Sequence, residues 1–157
     1  MMAVDRTCRV ARYWYVLALL GILVVDATLL GASWLPLHGF ADELSNLLTA
    51  FIWLTAAQRL SLPIRVYPGM IAAVVIDLDH LPVILGWFSP PEGTSRPVTH
   101  SLSLVLAFVA LAVMTTWWAQ VWTGVAVGVL SHLVRDLGTG TVLFWWPLSS
   151  DPVSLPY

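Results

Sequence analysis

Apolar residues come in long runs broken by brief polar punctuation. Five runs approach the ~20 residues that a bilayer-crossing helix needs. They are Tyr13 to Trp34, Phe40 to Leu60, Val66 to Trp87, Val98 to Trp118 and the shorter Val121 to Leu137. The runs are too long for strands and lack a period of two. The pattern therefore predicts an all-α, multi-pass membrane helical bundle of about five transmembrane helices, with an irregular C-terminal tail. The chain reads as one membrane domain over residues 1–157: a cytoplasmic tail (1–12), the bundle (13–138) and an extracytoplasmic tail (139–157). The first run is longer than the ~7–15 residues of a signal-peptide core, so it is expected to stay as a helix. The tail is rich in Pro and Ser, and its Phe144-Trp145-Trp146 is expected to lie against protein or the outer interface.

Composition sharpens this picture. Hydrophobic residues make up 59% of the chain, charged residues 10%, and mean hydropathy is +0.83. Soluble domains carry about 25% charged residues, and disorder needs low hydrophobicity, so both classes are excluded. The net charge is −2 and no lysine is present, which argues against nucleic acid as a partner. Cys8 is the one cysteine, so no internal disulfide forms, and its setting reads as incidental, with acylation the alternative.

Arginine placement orients the bundle. Arg6, Arg9 and Arg12 precede the first run, and Arg59 and Arg65 separate the second from the third. With five spans, a cytoplasmic N-terminus puts these five inside and leaves Arg96 and Arg135 outside, as the positive-inside rule prefers. Tyr13, Trp34, Trp87, Trp117 and Trp118 at run ends fit interfacial belts. The expected location is the cell (inner) membrane, with membrane lipid as the surrounding partner.

In that topology the polar residues segregate. Asp42, Glu43, Asp77, Asp79, Glu92, Asp136 and Asp151, with His38, His80, His100 and His132, all fall in the outer half or beyond. At about 100° per residue, Asp77 and His80 are ~60° apart on one face, His132 and Asp136 ~40°, and Glu43 and Asn46 ~60°. Asp79 is ~100° from His80 and need not share its role. Four segments thus offer carboxylate, imidazole and amide groups at one depth. Charged groups near hydrocarbon face a cavity or pair with each other, and clustered carboxylates repel. Two arginines are too few to offset them. A divalent cation offsets the charge and also uses the imidazoles; with no ligand sulfur, zinc is the first choice, with manganese or iron as alternatives. Asp26 has no evident partner.

Three motifs, Asp77-Leu-Asp79-His80-Leu-Pro82, Arg96-Pro-Val-Thr99-His100-Ser101 and Ser131-His132-Leu-Val-Arg135-Asp136-Leu-Gly-Thr139, then occur in order before the closing Val142-Leu-Phe-Trp-Trp-Pro147 and Leu155-Pro-Tyr157. In these residues, from about residue 40 onward, the chain resembles the YdjM-like membrane-bound metal-dependent hydrolases. That family is held to be remotely similar to zinc-dependent phospholipase C. The resemblance implies phosphoester hydrolysis. The chain departs from the family pattern twice: Ser95 stands where a His tends to precede the Arg, and Asn46 stands where a His tends to open the first matching helix.

The combined reading is a metal-dependent hydrolase acting on an amphiphilic phosphorylated substrate at the extracytoplasmic side. Asp77, Asp79, His80, His100, His132 and Asp136 are the expected metal ligands, with Glu43 a further candidate and two ions bridged by a carboxylate the natural arrangement. Glu43 or Asp79 is the expected general base. Arg96 and Arg135 are candidates for holding phosphate, Arg135 having an ion pair as its competing role. Thr99 and Ser101 read as helix-start residues with substrate contact as the alternative. Thr139, closing the third motif, joins them as a substrate-binding candidate. A metal or proton transporter, and a non-catalytic membrane protein with a structural metal, are the alternative readings.

Overall fold

The structure is a computed structural model. It describes the backbone of residues 3–29, 35–94 and 96–155, and the side chains of residues 13–28, 38–94 and 96–155. Trp34, Ser95, Pro156 and Tyr157, and the side chains of Arg6, Cys8, Arg9 and Arg12, lie outside the described set.

Five helical rods form among the described residues: α1 (Ala3–Leu29), α2 (Leu35–Arg59), α3 (Val66–Ile84), α4 (Leu102–Met114) and α5 (Ala119–Thr139). The fold is all-helical, as the long apolar runs predict. α3 is composite, with α-helix over Val66–Val75 and Leu81–Ile84 and a 3-10 stretch over Ile76–His80. Several boundaries differ from the hydropathy pattern. α1 starts at Ala3, within the segment expected as a tail, because helical hydrogen bonding does not stop where hydrophobicity does. α4 is shorter than its apolar run, since Pro97 and the bonded turn at His100 and Ser101 occupy its expected start. α5 extends two residues past Leu137 to Thr139.

The same device closes α2 and α3. At the end of α3, Gly86 takes φ +73°, its N–H donates to the Val83 carbonyl, and the Trp87 N–H donates to the Pro82 carbonyl. At the end of α2, Ser61 (φ 64°) and Leu62 donate to Gln58 and Ala57 in the same way. This satisfies carbonyls that a helix end otherwise leaves bare.

α5 is the central rod and packs against α2, α3 and α4, while α1 lies on α2. α3 and α5 meet at a seam of glycines. A side chain on Gly69 would collide with the Gly124 carbonyl, one on Gly128 with the Gly69 carbonyl, and one on Gly124 with the Arg65 carbonyl. Small residues of this kind let two helix backbones touch. Val125, Val129, Leu133 and Leu137 of α5 pack with Val105 of α4 and with Val142. Ala50, Leu54 and Ala57 of α2 pack with Ile64 and Ala73.

The tail is irregular, as expected, but tied down. Val142 and Val153 form an antiparallel bridge, the Leu155 N–H donates to Leu137, and the Leu102 N–H donates to Phe144. Phe144 packs on the α4–α5 core, while Trp145 and Trp146 are partly exposed.

Polar side chains are buried together with the apolar core, and apolar ones are exposed. Asn46, Ser45, Ser101, Ser131, His100, His132 and Asp136 are among the largest fully enclosed side chains. Large apolar residues line the outside, among them Leu19, Leu20, Leu23 and Val24 of α1 and Tyr67, Ile71, Val75 and Leu78 along one face of α3. Apolar area on this scale marks an interaction surface. Among the described residues one helical run, Val66–Ile84, is long and apolar enough to cross a membrane; Tyr13–Thr28 and Leu102–Met114 are apolar but shorter.

Candidate metal centre

Three segments converge between α3, α5 and the loop before α4. The 3-10 stretch winds more tightly than an α-helix and carries Asp77, Asp79 and His80 toward that loop. α5 supplies His132 and Asp136 one turn apart. The loop supplies Arg96, Thr99 and His100, and is fixed from both sides: Thr94 Oγ1 donates to the Thr141 carbonyl at 2.7 Å and accepts from the Arg96 N–H at 2.9 Å. Thr141 Oγ1 returns a bond to the Gly93 carbonyl at 3.1 Å.

His100 is the hub. Its Nε2 lies 3.1 Å from Asp77 Oδ1 and 3.5 Å from Asp136 Oδ2, and its Nδ1 lies 3.3 Å from Asp79 Oδ2. His132 Nε2 lies 3.4 Å from Asp77 Oδ1 and 3.2 Å from Asp136 Oδ2. His80 Nδ1 lies 3.0 Å from Asp79 and 3.4 Å from Asp77. The Thr99 hydroxyl bonds Asp79. Arg96 reaches Asp136 at 3.0 Å and Asp77 at 3.9 Å. Asn46 Nδ2 donates to Asp77 Oδ2 at 3.4 Å, and Glu43 lies beside Asp77.

The donor chemistry can be read from one contact. His132 Nδ1 lies 2.7 Å from the Ala73 carbonyl. A carbonyl only accepts, so Nδ1 carries the proton, and in a neutral ring Nε2 would present its lone pair to an ion. That nitrogen and Asp136 Oδ2 are buried without a hydrogen-bond partner among the described residues. Leaving such groups unsatisfied is costly. Four carboxylates (Glu43, Asp77, Asp79, Asp136) face one guanidinium, that of Arg96. Two overlapping groups, Asp77–His80–His100 and His100–His132–Asp136, have the spacing to hold a metal ion. Buried nitrogen and oxygen donors in this spacing could hold a metal ion. The fixing of His132 through its other ring nitrogen is the usual support for a metal-ligating imidazole.

Not every expected residue joins this group. Arg135 is adjacent to Asp136 but about 100° round the helix, so it faces α1 and α2. Its two terminal nitrogens hold Asp26 at 2.8 and 3.2 Å, and one reaches Asp42 at 3.3 Å. The phosphate-holding role expected for Arg135 is therefore replaced by its ion-pair role. Asp26, without a partner in the sequence reading, has Arg135 and the Ser45 hydroxyl at 3.0 Å. Thr139 is exposed and turns back on the Arg135 carbonyl at 3.4 Å, on that same far face. Ser101 is enclosed, stands at the N-cap position of α4 and bonds Ser103 at 2.8 Å, which is a structural role. His38 lies on α2. Sequence reasoning missed Thr94, a loop threonine with no motif around it.

The family model described as YdjM inner membrane protein matches residues 46–157. No curated protein and no solved structure matches the chain. The match takes in Asn46, all three motifs and the tail that secures them, and it covers well over half of the sequence: the chain belongs to the YdjM inner membrane protein family.

Proposed function

We propose that this protein is a multi-pass membrane hydrolase that cleaves a phosphoester of an amphiphilic, lipid-type substrate at the extracytoplasmic face, using a divalent metal, zinc first. The carrying observation is the buried convergence of His100, His132 and Asp136, with His132 Nε2 3.2 Å from Asp136 Oδ2, in a group whose spacing could hold a metal ion. The apolar exterior of α1, α3 and α4 supports several spans, and the arginines of the first two inner segments support a cytoplasmic N-terminus.

His100, His132, Asp136 and Asp77 would hold the ion, with His80 and Asp79 completing the set. A bound divalent ion supplies Lewis acidity and brings the pKa of water toward neutrality. The chain's own residues divide the remaining work. Arg96 stands beside the centre on Asp136 and offers a planar donor pair to phosphate oxygens. Glu43 and Asp79 are the carboxylates placed to take a proton from water, and Thr99 fixes Asp79. The centre is closed on the α5 side, where His100 and His132 are 0% exposed, and partly open at Asp79 and His80. A structural site is closed all round, whereas a catalytic one leaves an approach.

The test is hydrolysis of short-chain phospholipids and polyprenyl phosphates by purified, metal-analysed protein. Turnover that is lost with a chelator and in His132→Ala is expected. Loaded protein that cleaves none of these substrates overturns the hydrolase reading and leaves a structural centre. Undiminished turnover in a strong chelator removes the metal from it.

A further inference from the structure

The end of the bundle away from the metal centre holds a different kind of site. A cleft of about 530 Å³ lies between the α2–α3 turn and the α4–α5 turn. Arg65, Tyr67, Thr116, Trp117, Trp118 and Gln120 carry its chemistry. The Arg65 N–H donates to the Gln120 carbonyl at 2.9 Å, which locks the two turns together. The Arg65 side chain is exposed and makes no hydrogen bond or ion pair among the described residues. Trp117 and Tyr67 are 91% and 80% exposed.

This combination is costly in water and useful at a membrane surface. Large rings fully open to solvent gain nothing by folding, but indole and phenol rings are favoured at the level of lipid head groups. The described carboxylates of α2, α3 and α5 (Asp42, Glu43, Asp77, Asp79, Asp136) sit at the other end of those helices, so none neutralises Arg65. Its guanidinium matches a phosphate diester in geometry and charge, and the amino ends of α3 and α5 opening on the cleft add to its preference for an anion. By contrast, Arg59 at the same end lies 4.8 Å over the Tyr15 ring and is already engaged.

We propose that this cleft binds the head group of an anionic phospholipid, with the phosphate on Arg65 and the ester region against Trp117, Trp118 and Tyr67. The site is roughly 20 Å along α3 from His80, by the rise per residue of a helix, and so is separate from the metal centre. The proposal rests on α3 crossing the bilayer and not on hydrolysis.

The test reconstitutes full-length protein with phosphatidylcholine mixed with phosphatidylglycerol, strips loosely held lipid, and measures what stays bound by mass spectrometry. Wild-type protein retains phosphatidylglycerol in excess. Arg65→Gln lowers that excess roughly fivefold, the equivalent of the ~1 kcal/mol one arginine contributes beside anionic lipid. Trp117→Leu, with charge intact and an almost fully exposed ring removed, lowers it too, while Arg59→Gln keeps it. Equal retention in Arg65→Gln overturns the site. So does an equal loss in both arginine variants with Trp117→Leu unchanged, which is the behaviour of diffuse charge attraction. Displacement of the retained lipid by inorganic phosphate alone would show a free-anion site and overturn the lipid assignment. An unchanged unfolding midpoint in each variant shows that the fold is intact and keeps this outcome independent of the hydrolase test.

Discussion

His132 shows how much one side chain's surroundings decide. Its Nδ1 is held by a backbone carbonyl, so its Nε2 has a fixed direction and a fixed chemistry. Replacing His132 with Ala should remove bound metal from the purified protein, with affinity falling by more than the 10–100-fold typical of outer-shell changes; stoichiometric metal in that variant would take His132 out of the ligand set. Asn46 supplies the opposite test. It is enclosed, its amide nitrogen is 3.4 Å from Asp77, and its Oδ1 is unpaired. Asn46→His puts an imidazole there and should slow loss of metal to a chelator by about tenfold. The pairs Asp77–His80 and His132–Asp136 were legible because helical spacing alone puts them on one face. That His100 meets both was expected from its motif and depth, but its place as the hub was not, since it depends on how a loop folds over two rods. The same limit hid Arg135: its position predicts a partner, but which of its neighbours is chosen depends on the rotation of α5 against α1 and α2.

At the level of elements, the site depends on two couplings. The first is the glycine seam between α3 and α5, which sets the distance between Asp77 and His132. Gly128→Leu drives a side chain into the Gly69 carbonyl and should cost at least about 1–3 kcal/mol, read as a lower unfolding midpoint together with lost metal. Gly138 faces open space, and Gly138→Ala should leave both unchanged or slightly raise stability. The second coupling is the attachment of α1 through Arg135. Removing the guanidinium leaves Asp26 and Asp42 facing each other, so Arg135→Ala should destabilise by about 1.5–3 kcal/mol. Asp26→Ala should cost less, because that carboxylate is 40% exposed. An equal cost in both would mean that the pair is not what holds α1. Five rods and their order were legible in the hydropathy runs. Their ends were not, because Schellman closures, the 3-10 stretch and the bonded turn before α4 are set by local hydrogen bonds that hydropathy does not register.

The whole molecule has an apolar exterior, a polar interior at one end and arginine with aromatic rings at the other. If the rods cross a bilayer in alternation, the turn at Ser61 and the loop at Glu92 face opposite compartments. Single cysteines at these two positions, in a Cys8→Ser background, should react with an impermeant thiol reagent from opposite sides of intact vesicles; labelling from one side would refute the crossing pattern.

The depth of His100, His132 and Asp136, each at most 1% exposed, bears on how a cation comes and goes. A cation seated among them leaves by way of Asp79 and His80 or waits for the rods to separate. Its residence is then governed by a breathing motion of the protein, not by ligand strength alone. Slow isotope exchange should accompany even modest affinity, and the ion captured during folding into the bilayer would persist through extraction and later washing.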